Sequence, residues 1–186
     1  GVVNCSFPFL TGERMHVALS PPTGLPPLPH GLSVTSVVKL LGVDNLILLL
    51  GAVLTEGKIL LHSHDIANVT MVAEVITALI YPFEWALPYI PVLCEEMLEF
   101  VEAPLSFLLG VPTTSLKLMD PIVLTELVVV DIDNASAGNP ASVRNDNAGG
   151  VNPSTALPAS VAHNISRAVF RLLREEKAAE EEYRAS

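Results

Sequence analysis

Between residues 33 and 134, the apolar residues of the chain fall into blocks of two kinds. In the first kind they recur at helical spacing, and residues 66–80 predict a helix of about four turns that Asp65 caps and Pro82 stops. In the second kind apolar residues follow one another without alternation, which is typical of strands covered on both faces. Four such runs are predicted strands: Lys58–Ser63 and residues 89–93, 106–111 and 127–132.

Two further helices are predicted before the first strand. One covers residues 33–41 and breaks at Gly42. The other covers residues 45–56, with Asp44 as its N-cap and Gly57 in the left-handed position that commonly ends a helix. Because leucines lie nearly all round this second helix, we expect it to be buried.

The alternation of strands and helices predicts an α/β fold: an open, mostly parallel sheet with helices on both faces, including a short acidic helix at residues 95–101. This core is predicted to span residues 33–134. Residues 1–32 are predicted to be an extended connector, because the run PPTGLPPLP at residues 21–29 is too rich in proline for a helix or a central strand.

Two segments follow the predicted core. Residues 135–160 consist mainly of Ala, Ser, Asn, Gly and Pro, so burial cannot offset their ordering entropy and we predict a flexible linker. Residues 161–186 are predicted to form an amphipathic helix with a charged end. We expect its apolar stripe to pack on a partner outside this chain; the stripe consists of Ile165, Ala168, Val169, Leu172 and Leu173.

Composition narrows the possible functions. Half of the 186 residues are apolar and the mean hydropathy is +0.49. The most apolar run, residues 45–54, is nevertheless well short of the ~20 residues that a membrane-spanning helix needs. The net charge of −10 repels phosphate backbones and anionic lipid. We therefore expect no nucleic-acid binding, and membrane association at most through partners.

The cysteine content indicates a reducing compartment. Cys5 and Cys94 are the only cysteines and lie far apart, so they predict neither a disulfide framework nor a zinc site. No signal-peptide pattern opens the chain, and we predict a cytoplasmic location with recruitment to endomembranes. Since the first residue is Gly1 rather than Met, we expect the chain to be a fragment whose true start lies upstream.

Two polar groups lie at predicted strand ends, where open α/β sheets place ligands. The first, residues 62–65, has no nucleophile elbow around Ser63 and no metal-ligand partner segment, so a strand end followed by a helix cap explains it. The second, Asp131 and Asp133, is similar to the magnesium-binding strand of P-loop NTPases, but the chain has no phosphate-binding loop. We predict no cofactor, no metal and no catalytic residue, and interpret both aspartates as turn caps or partner contacts.

The passage YPFEWALPYIPVL at residues 81–93 is the most unusual part of the chain and includes its only tryptophan, Trp85. Prolines that fix the backbone alternate here with aromatic side chains that bury large areas. The pattern predicts a rigid connection between a helix and a strand. Two interpretations remain open, because such a corner serves either the architecture alone or the docking of a protein partner.

The order of these elements resembles the central (cDENN) segment of DENN domains over about residues 25–134. Each motif is weak alone, but the five together occur in the family's order and spacing. They are LGVDN at residues 41–45, AVLTEGKILLHS at 52–63, YPFEW and YIPVL at 81–93, APLSFLLGV at 103–111 and VDID at 130–133. Leu105 replaces a common proline of the family, and Ala86 replaces a glutamine that often follows the tryptophan.

The resemblance implies a Rossmann-like core and nucleotide-exchange activity toward Rab-type small GTPases in vesicle trafficking, without covalent chemistry. It also implies an upstream longin-like lobe and a downstream helical section, so we expect the chain alone to exchange nucleotide poorly. The positions that carry the family pattern are candidate partner contacts: Tyr81, Pro82, Phe83, Trp85, Tyr89, Pro91, Pro104, Gly110, Asp131 and Asp133.

Two alternatives remain. A scaffold of the same fold would bind a GTPase or an effector without promoting exchange. A Rossmann-like enzyme would instead use the carboxyl edge of the sheet as a small-molecule pocket, and the missing phosphate-binding signatures place this alternative last. The sequence identifies neither the Rab nor the individual contact residues.

Overall fold

The computed structural model describes residues 3–8, 14–19, 28, 32–135, 143–144 and 157–185. The strands are β1 (Val3–Pro8), β2 (Arg14–Leu19), β3 (Lys58–Ser63), β4 (Tyr89–Ile90), β5 (Phe107–Pro112), β6 (Val128–Asp131) and β7 (Val143–Arg144). The α-helices are α1 (Val34–Leu41), α2 (Val43–Leu54), α3 (Ile66–Leu79), α4 (Pro121–Thr125), α5 (Ile132–Ala135) and α6 (Ala159–Ala185). Two 3-10 helices cover Glu95–Glu102 and Thr113–Leu118.

Four parallel strands form the main sheet, in the order β4-β5-β3-β6, and the short β7 adds an antiparallel edge. β3 lies at the centre, with Leu60 opposite Leu109 of β5 on one side and opposite Val129 of β6 on the other. The predicted open, mostly parallel sheet is therefore confirmed. The predicted strand at residues 89–93 is shorter than expected, because only Tyr89 and Ile90 pair with β5.

Side chains alternate between the two faces of the sheet and define two cores. Ile59 and Leu61 of β3 point into the larger core, together with side chains of α1, α2, α3, α5 and α6. Leu60 points into the smaller core, which contains Leu93, Val101 and residues of both 3-10 helices and α4. Helices thus cover both faces, as predicted, but the cover of the second face is thinner.

The N-terminal ends of the helices depend on local capping contacts. Ser33 and Asp65 cap α1 and α3, as their side chains accept from Thr35 N (3.2 Å) and Ala67 N (2.9 Å). The Asp44 prediction is wrong. Gly42, at φ 75°, turns the chain so sharply that α2 begins at Val43, and Asp44 lies inside its first turn.

The end of α2 differs from the prediction, because the helix ends at Leu54 and not at residue 56, and its left-handed residue lies one position earlier than expected. The left-handed residue is Glu56, at φ 53°, and not Gly57. Glu56 N donates to Val53 O (3.0 Å) and Gly57 N donates to Ala52 O (2.9 Å). This pair of hydrogen bonds is the Schellman arrangement, in which the residue before Gly57 must take the left-handed conformation.

The C-terminal helix α6 packs on this chain, so the expected external partner for its stripe is not needed. Val169 is buried, and Ile165 and Leu173 contact the larger core beside α1 and α2. Glu176 adds a polar contact, since its carboxylate accepts from Thr35 Oγ1 (2.8 Å) and pairs with Lys39 Nζ (3.1 Å). Ala168 and Leu172, which the predicted stripe included, are exposed.

The segments flanking the core contain strands that were not predicted. Within residues 1–32, predicted to be an extended connector, β1 and β2 pair antiparallel with Cys5 opposite Val17. Within the predicted linker, β7 pairs with β6. Apart from Leu28, the proline-rich run at residues 21–29 lies outside the described residues, as does most of residues 136–156.

Membrane-spanning potential in the described residues is confined to one bent pair of helices. No single described helix has both the length and the apolar composition to cross a bilayer. α1 and α2 reach that length and composition only together, and they meet at an angle of 107°.

Candidate functional site

The candidate contact residues lie in separate places along the sheet. Tyr81, Pro82, Phe83 and Trp85 follow α3 and precede β4, so they lie near the amino ends of the parallel strands. Asp131 ends β6 and therefore lies at the carboxyl ends. With six residues in β3, the two edges are separated by roughly 20 Å. The sheet thus has two candidate surfaces and not one.

At the amino edge, the segment 80–88 forms the corner between α3 and β4, which we call the aromatic corner. Phe83 N donates to Ile80 O (2.9 Å) in the turn after α3, and the Tyr81–Pro82 peptide bond is cis. Pro88 O accepts from both Trp85 Nε1 (3.3 Å) and Leu108 N (2.9 Å), which joins the corner to β5. The predicted connection between helix and strand is therefore present, and hydrogen bonds join it to β5.

The aromatic corner surrounds an open cleft of about 300 Å³. Its lining consists of Thr77, Ala78, Tyr81, Phe83, Glu84, Trp85 and Tyr89. Tyr81 is 53% exposed and Phe83 68% exposed, whereas Trp85 and Tyr89 are half-buried against the larger core. The cleft therefore has a fixed inner wall and an exposed aromatic rim.

Tyr89 is held in place at the inner wall by a charged partner. Its hydroxyl donates to Glu74 Oε1 of α3 at 2.8 Å. Burial, together with the hydrogen bond and the negative charge of Glu74, raises the pKa of Tyr89 far above its usual value. Tyr89 is therefore a neutral donor throughout the physiological range. The sequence patterns did not identify Glu74, which is separated from Tyr89 by 15 positions.

Pro91 and Gly110 have an architectural role. Leu93 N donates to Gly110 O (2.7 Å), so the chain after β4 lies directly against β5. A Cβ atom at Gly110 would lie 2.1 Å from Pro91 O and 2.4 Å from Val69 Cγ1. Only glycine leaves room for this approach, which explains the residue at this position better than partner contact does. Pro104 lies apart from the cleft, exposed between the first 3-10 helix and β5.

The carboxyl edge contains a point where chain connections diverge. After β3 the chain crosses the face of the larger core as α3, whereas after β5 it crosses the other face through the second 3-10 helix and α4. Such divergence opens a crevice in doubly wound sheets and is where ligands commonly bind. Here the crevice region contains four side chains that are connected by hydrogen bonds, namely His62, Ser63, Thr113 and Asp133.

Asp133 is the centre of this carboxyl-edge network. Its carboxylate accepts from Ser63 Oγ (2.6 Å) and His64 N (2.9 Å), and it lies 2.7 Å from His64 Nδ1. Partial burial acts to raise the pKa of Asp133, but the hydrogen bonds from Ser63 and His64 outweigh it and lower the pKa below its usual value. Thr113 Oγ1 extends the network, at 3.4 Å from Asp133 and 3.1 Å from His62 Nδ1.

The geometry of this network indicates that it stabilises the fold. Ser63 is fully buried and donates to a carboxylate, while the nearby imidazole of His64 binds that same carboxylate and not the serine oxygen. The carboxylate bonded to Ser63 has a lowered pKa and is therefore a weak base, and the buried hydroxyl is not accessible to a substrate. In the part of the chain that the structure describes, no group of three or more His, Cys, Asp or Glu side chains is placed to hold a metal ion.

Asp131 has a separate local role. Its carboxylate accepts from Asn134 N (3.2 Å) and Asn134 Nδ2 (2.8 Å), so it caps the turn into α5. Asp131 and Asp133 were predicted together as caps or partner contacts. The structure separates them into a cap and a network centre that links β3, the second 3-10 helix and α5.

The fold and this surface define an α/β domain with an exposed aromatic corner that hydrogen bonds join to the sheet. The chain belongs to the DENN (AEX-3) domain family, whose model matches residues 5–135. The match begins within β1 and so extends further toward the N-terminus than the sequence motifs did.

One curated relative is the DENN domain and WD repeat-containing protein SCD1 of Arabidopsis thaliana. It is 38% identical to this chain over 104 residues, which are 54% of this chain and 9% of the relative. The chain therefore spans only a small part of that protein's length.

Proposed function

We propose that this chain is the central (cDENN) part of a guanine nucleotide exchange factor for Rab-family small GTPases, acting in membrane trafficking. Membership of the DENN family over residues 5–135 is the observation that carries the proposal. The same proposal includes a cytoplasmic location and recruitment to endomembranes through partners.

The exposed aromatic corner supports the proposal. Large aromatic side chains that remain exposed on a rigid support are typical anchors of protein–protein interfaces. Phe83 and Tyr81 lie on a corner that hydrogen bonds join to β5, so little conformational freedom is lost when a partner binds. We propose the corner as part of the GTPase-binding surface.

Exchange of this kind requires no covalent step. The factor binds the nucleotide-free GTPase more tightly than the GDP-bound form, and this difference in affinity speeds the release of GDP. Each tenfold acceleration corresponds to about 1.4 kcal/mol of such preferential stabilisation. A partner surface is sufficient for this mechanism.

The test is the release of a fluorescent GDP analogue from a panel of Rab proteins. We expect acceleration for a subset of the panel, weak with this chain and stronger with a longer protein that also contains an upstream longin-like lobe. If neither accelerates release from any Rab although calorimetry detects binding, the chain is a scaffold and the proposal is wrong. Equal rates with and without the lobe would contradict the expected weakness of the chain alone.

A matched pair of variants tests the role of the aromatic corner. Phe83→Ala removes a side chain that is 68% exposed at the corner, and Leu118→Ala removes one that is 63% exposed on the second 3-10 helix. We expect Phe83→Ala to reduce exchange about tenfold, as a hot-spot truncation does, and Leu118→Ala to leave it unchanged. Equal effects of the two would exclude the corner as the anchor.

A further inference from the structure

The cleft of the aromatic corner combines two chemical features that recognise a cation. Four of its lining side chains are aromatic, namely Tyr81, Phe83, Trp85 and Tyr89, and the face of an aromatic ring attracts a cation. Glu84 adds a carboxylate to the same lining. Aromatic faces and a carboxylate together attract a positive charge more strongly than either does alone.

The carboxylate of Glu84 pairs with no cation in the part of the chain that the structure describes. Among residues 32–135 the only basic residues besides histidine are Lys39, Lys58 and Lys117, and of these Lys39 pairs with Glu176. Glu84 forms no ion pair with any residue that the structure describes. The carboxylate of Glu74, in contrast, already accepts a hydrogen bond from the hydroxyl of Tyr89.

The size of the cleft restricts what it holds. At about 300 Å³ it lies at the lower limit of small-molecule pockets and is open to solvent. This volume suits one long side chain and not a nucleotide or a larger cofactor. The net charge of −10 further favours a partner with a basic surface.

We propose that this cleft binds a single Lys or Arg side chain of the partner protein, with the cation against the aromatic rings and paired with Glu84. The identity of the partner, a small GTPase, rests on the proposed function. The preference of the cleft for a cation is argued from its lining residues alone. The apolar stem of the Lys or Arg side chain packs along Phe83 and Trp85 while its charged end reaches Glu84.

Trp85, the only tryptophan of the chain, reports directly on the cleft. The experiment titrates the chain with the N-acetyl amides of arginine and lysine at constant ionic strength and follows Trp85 fluorescence. The neutral analogues, citrulline and norleucine amides, serve as controls of the same shape. We expect a saturable change with the two cations, with a Kd on the order of 10 mM, and at least fivefold weaker binding of the neutral analogues.

Three variants assign the effect to residues. Glu84→Gln keeps the shape of the side chain but removes its charge, and we expect cation binding to weaken up to about fivefold. Phe83→Ala removes one exposed ring, and we expect it to weaken cation binding by a similar factor. Glu99→Gln removes an exposed carboxylate from the first 3-10 helix, away from the cleft, and should leave binding unchanged.

Two outcomes would overturn the inference. If norleucine amide binds as tightly as lysine amide, the cleft is an apolar anchor site and not a cation site. If none of the four amides changes Trp85 fluorescence up to saturating solubility, the cleft binds no such side chain. The exchange assay is separate from both, because cation binding without nucleotide exchange would contradict the proposed function and leave the cleft chemistry intact.

Discussion

The two edges of the sheet use their side chains in opposite ways. At the carboxyl edge, Ser63, His64 and Thr113 direct their polar groups at one carboxylate, Asp133, so the hydrogen-bonding capacity is largely used within the chain. At the amino edge, Phe83 and Tyr81 leave more than half of their surface exposed beside an open cleft. A satisfied polar network stabilises the fold, whereas exposed aromatic surface retains the capacity to bind another molecule.

This difference changes where function is expected in the molecule. Open α/β sheets commonly place ligands beyond the carboxyl ends of their strands. In this chain that crevice is occupied by side chains that hold β3, the second 3-10 helix and α5 together. The open aromatic cleft lies at the other edge, where α3 ends and β4 begins.

The largest expected loss of stability comes from disrupting the contact between Gly110 of β5 and Pro91 after β4. In Gly110→Ala the new Cβ would lie 2.1 Å from the backbone oxygen of Pro91, so β5 and the chain after β4 must separate. Overpacking against backbone cannot be relieved by a rotamer change, and we expect a loss of about 3 kcal/mol or more in the free energy of unfolding, measured by urea denaturation.

Gly57→Ala provides a graded control for that prediction. Its nearest contact would be Ala52 O at 3.2 Å, which a shift of a few tenths of an ångström relieves. We expect it to cost less than about 1 kcal/mol. Similar urea midpoints for the two variants would show that the close approach of Pro91 to Gly110 does not limit the stability of the fold.

The second largest effect is expected from Asp133→Ala, at the carboxyl edge. It leaves the fully buried Ser63 hydroxyl and the His64 backbone N–H without their acceptor. A buried donor that loses its acceptor costs about 1–3 kcal/mol, so we expect a loss of about 2 kcal/mol in urea denaturation. Binding of arginine amide to the cleft should not change, because the network is at the opposite edge.

Two controls sharpen this expectation. Asp131→Ala removes a cap between exposed groups and should cost no more than about 1 kcal/mol. The double variant Ser63→Ala with Asp133→Ala removes donor and acceptor together, so its cost should be less than the sum of the two single variants. Simple additivity would mean that the Ser63–Asp133 hydrogen bond contributes little.

The elements of the core could be predicted because their signals are local. The apolar run at Lys58–Ser63 and the Asp65 cap both correspond to the observed β3 and α3. The hairpin β1–β2 was not predicted although Val3, Cys5 and Phe7 alternate with polar residues in β1, because an alternation over six residues is a weak signal beside the proline-rich run that follows. Glu56 escaped because the pattern identifies a glycine at a helix end, but not which neighbour takes the left-handed conformation.

The sites could be predicted only as separate residues. The sequence singled out Trp85 and Phe83 by composition and Asp133 by its place after a strand. It could not reveal that Thr113 and Asp133 meet, or that Glu74 bonds Tyr89, because those contacts depend on the parallel register of β3, β5 and β6 and on the packing of α3. Nor did it reveal that the motif residues divide between two edges.

The smallest expected effect is on the pH dependence of stability, which should differ between the wild type and a variant that lacks the Asp133 carboxylate. Hydrogen bonds lower the pKa of Asp133 in the folded state, so below about pH 4 the unfolded chain takes up this proton first. The stabilisation is therefore present at neutral pH and is lost as the pH falls through the folded-state pKa. Urea midpoints of the wild type and Asp133→Asn should differ most between pH 5 and 7 and converge toward pH 3.

The comparison with Asp133→Asn is needed because another carboxylate acts in the same direction. Hydrogen bonds from Thr35 and Lys39 lower the pKa of Glu176, so the contact between α6 and α1 also weakens in acid. That contribution is common to both proteins and cancels in their difference. Parallel curves from pH 7 to pH 3 would mean that the charge on Asp133 does not stabilise the network, and the contrast between a closed carboxyl edge and an open amino edge would then rest on hydrogen bonding alone.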